Sequence, residues 1–314
     1  MKYKSVAVSL LGLGLIGWGL TPAPAFAAQP ARPGTVNYVE GAVYVNGQQI
    51  NPKQIGNVDL NPGEELCTGN GKAEILLTPG VFLRVGDNSA VKMISPDLTM
   101  TQVQVEKGRA GVEVDEIHDQ NNLQIVDAGI TTRLQKTGYY EFDASKPEVM
   151  VFKGKAEVEV AEGRGKEVKA HHEFALDGQS GKPAAQEKPA SFSEDKSQDE
   201  LMNWSALRSQ YLAEANNELA PEYAYGGYYP GWYWDPYGFG YTFIGAGQFY
   251  SPFGWGFYPI GWGGGWYGGW GGWYGGRGYY GHHFEGHGGF EHGGFTHSGG
   301  IGGGGFHGGG SHGR

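Results

Sequence analysis

The stretch from Gly63 to Val85 restricts this chain to a narrow range of folds. It reads as three short apolar strands, Glu65–Thr68, Lys72–Leu77 and Val81–Val85, punctuated by Gly69-Asn70-Gly71 and Pro79-Gly80. Both punctuation marks are strong turn signals, because glycine and asparagine tolerate positive φ and proline presets φ for a turn. The same grammar of short strand, glycine turn and short strand runs from about Gly34 to Asp177. Further strands are expected at 36–39, 42–45, 90–94, 102–106, 111–115, 123–126, 131–135, 139–143, 149–152, 156–160 and 167–176, with a tight turn at Asn46-Gly47. No helical period interrupts them. Strands of this length with turns every eight to twelve residues imply an all-β domain, either an antiparallel sandwich or a β-solenoid-like stack.

Alternation indicates which face is buried. Val103 and Val105 alternate with Gln102 and Gln104, and Val112 and Val114 alternate with Glu113 and Asp115. One apolar face and one wet face are therefore expected. Lys107-Gly108-Arg109, Lys153-Gly154-Lys155 and Gly163-Arg164-Gly165-Lys166 read as exposed, charged turn tips that blunt strand edges.

The progression Gly41-Ala42-Val43-Tyr44-Val45-Asn46-Gly47, Gly63–Gly69, Gly71–Leu77, Val81–Val85 and Val103–Gly108 resembles the FecR-type periplasmic domain over residues 34–177. The Leu-x-Thr-Gly-x-Gly-x-Ala run at 66–73 is its most specific part. In the founding members of that family, the domain is the outer half of a sensor that listens to a TonB-dependent receptor and is joined to a cytoplasmic anti-sigma segment. The resemblance implies an exported β module. Only Met1–Lys4 precede the apolar leader, so the anti-sigma segment is expected to be missing.

The flanks extend this layout. Lys2 and Lys4, an apolar run over 5–20 and Ala25-Phe26-Ala27 form the three-part pattern of a signal peptide over 1–27, with cleavage before Ala28 and a short lead at 28–33. Retention of the leader as an anchor is the alternative. The Gly12–Gly17 match to a dinucleotide fingerprint is rejected, since no βαβ unit surrounds it. Residues 178–196 read as a linker. An amphipathic helix is expected over 197–219, capped by Ser197 with Glu200 three residues on, with Leu201, Trp204, Leu207 and Tyr211, flanked by Leu212 and Ala215, as its apolar stripe. It would dock on the β domain or bind a partner.

Of the 58 glycines, 36 fall after Ala220, along with Trp232, Trp234, Trp255, Trp262, Trp266, Trp270 and Trp273. With few aliphatics to build a core, residues 220–314 are expected to form a largely disordered tail that offers many weak aromatic contacts to glycan, to an envelope protein or to another copy of itself. Within it, His282, His287, His292, His297, His307 and His312 follow a five-residue period. They are candidate ligands for loosely held Zn, Ni or Cu.

Composition excludes several classes. The net charge is −10, which is unsuited to a nucleic-acid phosphate backbone. Cys67 is the single cysteine, so no intramolecular disulfide exists, and its place in an apolar strand predicts burial. His283–His287 lacks zincin spacing. His171 and His172 point apart along a strand, and Asp115–Asp119 lacks a calcium-loop pattern. Glu113 and Asp115 share a face about 6.5–7 Å apart, as any wet strand arranges. No catalytic residue, cofactor or small-molecule substrate is assigned. The resulting expectation is a non-catalytic envelope binding or scaffold protein, with a periplasmic sensor or adaptor, and metal binding by the histidine repeat, as alternatives.

Overall fold

The computed structural model describes residues 31–118, 120–161, 164–176, 188–193, 200–222, 229–236 and 238–259. All of them lie in the first of two compact units, Met1–Trp266. The leader, most of the linker, Ser197 and the histidine repeat fall outside the described residues.

The β region opens with β1 (Val36–Val45) and β2 (Gln48–Gln49), which turn at Asn46-Gly47 with φ of 49° and 76°. Next come β3 (Glu65–Leu76), β4 (Val81–Val85), β5 (Ala90–Asp97), β6 (Met100–Lys107) and β7 (Arg109–Val114). They are followed by β8 (Leu123–Asp127), β9 (Ile130–Leu134), β10 (Gly138–Asp143), β11 (Glu148–Lys153), β12 (Lys155–Ala161), β13 (Arg164–Lys169), β14 (His172–Ala175) and β15 (Ala190–Ser191). All fifteen belong to one sheet, with the main order β13-β12-β9-β8-β6-β5-β3-β4-β7-β10-β11-β14-β15. Every pair is antiparallel except β6 with β8, so the sheet is mixed.

Several expected strand limits differ: β1 runs unbroken through Glu40-Gly41, and Arg164–Lys166, expected at a turn tip, begin β13. Gly69-Asn70-Gly71 is no turn, because β3 passes straight through it. On one side, β3 stays paired with β1 throughout. On the other, Glu65–Cys67 pair with β5, whereas Ala73–Leu76 pair with β4. The glycines serve the bend between these partners. Gly71 lies opposite Gly41, and a Cβ on Gly71 would strike the Glu40 carbonyl. The single strand expected over 167–176 is divided at His171, whose φ of 62° turns the chain between β13 and β14.

From β3 the sheet spreads into two arms, and the chain shuttles between them. β5 and β6 lie in one arm, β7 in the other, β8 and β9 in the first again, β10 and β11 in the second, β12 and β13 in the first, and β14 in the second. The inner faces of both arms meet in one core. Met93, Val103, Ile125 and Val158 from the first arm pack in the same cluster as Leu83, Val112, Phe142 and Val151 from the second. This winding combines the sandwich and the solenoid-like stack.

Two further layers cover the outer face of the second arm. Helix α1 (Glu200–Glu222) lies against β7 and β4. Beside it are the hairpin β16 (Gly231–Asp235) with β17 (Gly240–Ile244), and the short pair β18 (Phe249–Tyr250) with β19 (Gly256–Phe257). A low-complexity tail starting at 220 is thus corrected for 229–259. Tyr241, Phe243 and Phe257 form a second core with Leu76, Phe82 and Leu212, and Trp232 meets Phe82 edge-on at 5.0 Å. The aromatics bury enough area to order the glycine-rich backbone because the sheet already presents Leu76 and Phe82 to receive them.

Candidate functional site

The outer face of the second arm carries two rows of side chains across its strands. Leu76, Phe82, Glu113, Tyr139 and Lys153 are successive partners in one row, and Glu74, Arg84, Gly111, Glu141 and Met150 in the other. The pleat therefore puts four carboxylate, guanidinium and phenol groups from three strands beside Glu74 of β3. This face was expected to be wet. Instead Glu74, Arg84, Glu113 and Glu141 are fully buried, and Asp115 is 5% exposed.

Burial is tolerated because the charges are paired and hydrogen-bonded. Arg84 donates through Nε to Glu74 Oε2 at 2.9 Å and through Nη1 to Glu113. From α1, Arg208 Nη2 donates to Glu74 Oε1 at 2.8 Å, and Ser209 Oγ donates to Glu113 Oε1 at 2.6 Å. The Tyr139 hydroxyl donates to Glu141 Oε1 at 2.8 Å and meets Ser205 Oγ at 3.1 Å. Arg109, expected at an exposed turn tip, is drawn onto Glu141. Gly111 leaves the space this requires, since a Cβ there would collide with the Tyr139 hydroxyl.

Ionisation follows from these contacts. Burial alone would raise the Glu74 carboxyl, but Arg208 and Arg84 outweigh it and hold the group below its ordinary range. Burial would lower the Arg84 guanidinium, and Glu113 and Glu74 reverse that, so it is always charged. Asp115 is pushed well above the usual carboxylate range, first by burial and then by Glu113 beside it. Its two oxygens are buried, and a side-chain hydrogen bond shared with Glu113 raises it further. Its neutral form is thereby favoured over the charged one.

Side-chain amides bolt the cover to the sheet. Asn37 on β1 donates to Glu74 Oε1 at 2.8 Å and to the Tyr241 carbonyl at 2.9 Å, and its Oδ1 accepts from the Tyr241 N–H at 2.6 Å. Asn216 on α1 likewise bonds the Phe243 and Tyr258 carbonyls at 3.0 and 3.1 Å and accepts from the Tyr258 N–H at 2.7 Å. Each amide copies the donor and acceptor pattern of a strand and so fixes a hairpin without a ladder.

Helix docking is thus found, on a stripe that keeps Leu201, Leu212 and Ala215 of the expected one and replaces the rest. Leu201 is buried as expected, whereas Trp204 and Tyr211 are half-buried and Leu207 is exposed. The face against the sheet is Leu201, Ser205, Arg208, Ser209, Leu212, Asn216 and Leu219. Hydrophobic periodicity could not find its polar members, because the sheet below offers charges that polar helix residues satisfy. A usable signal existed nonetheless. Glu74 and Arg84 are lone opposite charges inside apolar strands, which is the mark of a buried pair.

The remaining candidates are resolved individually. Cys67 is half-buried rather than buried, since Leu66 and Thr68 take the inward positions. Burial first, and Glu65 next, push its thiol up to about 11, so it is a poor nucleophile. His172 bonds the Ala170 carbonyl at 2.9 Å and Ser191 Oγ at 3.3 Å. Among the described residues, no group of three or more His, Cys, Asp or Glu could hold a metal. His282, His287, His292, His297, His307 and His312 lie outside them. Among the described residues, no helix is long and apolar enough to cross a membrane. A cavity of about 410 Å³ at the start of α1 is lined by Lys72, Asp87, Lys107, Arg109, Asp143 and Glu200. Its charges are of both signs, and Lys72 already bridges Asp87 at 2.8 Å and Glu200 at 2.6 Å.

The described residues thus define an all-β module wound between two arms, with its one charged outer face closed by a helix and two hairpins. Residues 64–164 match the family described as FecR protein, so the chain carries a FecR-type domain. The match runs from the residue before β3 to the start of β13, within the expected 34–177. The helix and aromatic hairpins lie beyond it. A search of curated proteins returned no match. Two crystal structures of a proposed anti-sigma factor from Parabacteroides distasonis are similar, each at 11% identity with a TM-score of 0.33. The alignments cover 46% and 49% of this chain, and 63% and 72% of those chains. Likeness at that level has no bearing on function.

Proposed function

We propose that this chain is a non-catalytic, exported adaptor, in which a FecR-type domain passes a signal through a protein partner at the cell envelope. The family match over 64–164 carries this reading. The arrangement of the charged face supports it. Glu113 and Asp115, the one carboxylate pair that spacing offered for acid–base work, are buried, with Ser209 of α1 bonded to Glu113. The signal-peptide pattern over 1–27 supports export.

Cross-linking of the full chain in the host envelope, followed by mass spectrometry, tests the reading. A membrane receptor or membrane sensor is expected as the specific partner. Specific turnover by the purified chain that is lost in Glu113→Gln would overturn it. A second reading, surface or glycan binding, is favoured by the exposed rings of Tyr229, Tyr250 and Trp255. Sedimentation with cell-wall glycan separates the two. The truncated control should end after Pro259, since a cut at 223 would also remove the hairpins of the second core. Metal binding by the histidine repeat is tested by titration with Zn and Ni at pH 7.5 and 5.5, where histidine ligation requires weaker binding at the lower pH.

A further inference from the structure

The two ends of the sheet differ. At one end, β13 exposes alternating charges, with Glu167 bridging Lys155 at 3.2 Å and Lys169 at 3.4 Å. Such charges blunt an edge against further pairing. At the other end, β14 pairs with β11 along all four residues, His172–Ala175. On its open side, among the described residues only His172 and Glu173 have strand partners, Ser191 and Ala190. Both partner residues are exposed. The register next sets Pro189 opposite Phe174, whose backbone groups face β11, and the described pairing ends there.

Two side chains anchor this two-residue strand: Ser191, whose Oγ meets His172 Nε2 at 3.3 Å, and Phe192. The Phe192 N–H donates to the His171 carbonyl at 3.3 Å, and its ring meets Phe152 edge-on at 5.1 Å. Phe152, which is buried, touches Tyr139 at 5.5 Å, and Tyr139 touches Phe253 of the β18–β19 turn at 4.8 Å. The ring of Phe192 thus occupies a notch that leads to the residue bonded to Ser205 of α1.

We infer that the open side of β14 is a strand-addition site, held in part by the chain's own Ala190-Ser191-Phe192 and filled by an extended segment of a partner protein that displaces it. This names the surface used in the adaptor role and rests on that reading. The partner segment carries an aromatic residue for the Phe152 notch. Two residues before it stands an uncharged or basic residue, opposite Glu173. A longer strand gains ladder bonds to Ala175, whose backbone groups face away from β11, and backbone pairing then supplies affinity while the Phe152 contact supplies specificity. Displacement is within reach because, among the described residues, the internal strand holds two paired residues, the Ser191–His172 bond, the Phe192 N–H bond to His171 and one half-buried ring.

The test uses the full chain with Cys67→Ala as parent and a fluorescein-labelled peptide of residues 188–193 as probe. Phe192→Ala loosens the internal strand and should bind the probe at least ten-fold more tightly than the parent, because the competent state is more populated. Glu173→Cys with Ala190→Cys places two thiols on a directly paired position. Oxidised, this variant should bind no probe, and after reduction it should bind as the parent does, which controls for folding. Equal binding by Phe192→Ala and parent, or by the oxidised and reduced forms, would overturn the site. A Phe192→Ala dimer that the oxidised lock abolishes would assign the strand to a second copy and overturn the partner assignment. The peptide measurement decides the surface whatever the cross-linking finds. An oxidised chain that excludes peptide yet still captures the receptor leaves the adaptor reading standing and removes this surface from it.

Discussion

Arg84→Met removes the one cation that touches both Glu74 and Glu113. The two carboxylates are then left in different positions. Glu74 keeps Arg208 at 2.8 Å and the Asn37 amide at 2.8 Å, so it remains compensated. Glu113 keeps the Ser209 hydroxyl and faces the second acid of Asp115. Breaking a buried pair by deleting one partner costs about 3–5 kcal/mol, because the remaining charge is stranded. Removing both is far milder, as an apolar pair of similar volume is often neutral. Arg84→Met combined with Glu113→Met should therefore recover most of the loss. Urea unfolding followed by tryptophan fluorescence reads this directly, since Trp232 and Trp234 sit in the covering layer. With a slope of about 3 kcal/mol per molar, the midpoint should fall by about 1–1.7 M in the single variant at unchanged slope. A fall below about 0.3 M, or a double variant no more stable than the single, would refute the claim that pairing sustains this buried charge.

Asp115→Asn should stabilise the chain at pH 8 and leave it little changed near pH 4. The raised group contributes stability fully below its unfolded pKa of about 3.9 and loses that contribution as pH rises, and asparagine does not titrate. Melting temperatures across pH 4–8 check this. Glu74 has the opposite sign: its lowered carboxyl contributes above an unfolded pKa of about 4.3 and loses that as pH falls, so acid should unfold both chains. Gly111→Ala forces a methyl against the Tyr139 hydroxyl and should cost about 1–3 kcal/mol by urea unfolding. Phe243→Ala opens the second core and should cost about 3–5 kcal/mol. No change in the last case would mean that the aromatic hairpins are not part of the folded domain.

Much of the fold was legible along the chain. Val103 and Val105 against Gln102 and Gln104 placed β6 and its inward face correctly. Asn46-Gly47 and Pro79-Gly80 marked real turns, because their backbone preferences are local. The Gly69–Gly71 bend was misread as a turn because its cause lies elsewhere, in the approach of Gly41. The helix was visible from its length and spacing, but the polar part of its docking stripe was not. Ser205, Arg208 and Ser209 face inward only because Tyr139, Glu74 and Glu113 await them across the interface.

Local chemistry was enough to set the strands, the turns, the family-bearing run at 66–73 and the existence of α1, since each depends on neighbours a few residues away. Alternation along a strand separates two faces but cannot say which one meets water. That depended on α1, some ninety residues after Glu113, and on hairpins later still. Only their packing turned a wet acidic face into a buried ion cluster, and a glycine-rich aromatic run into a second core. The physical reason is that solvation belongs to the assembled surface: the same Glu113 is an ordinary exposed acid or a desolvated, paired one according to what lies above it.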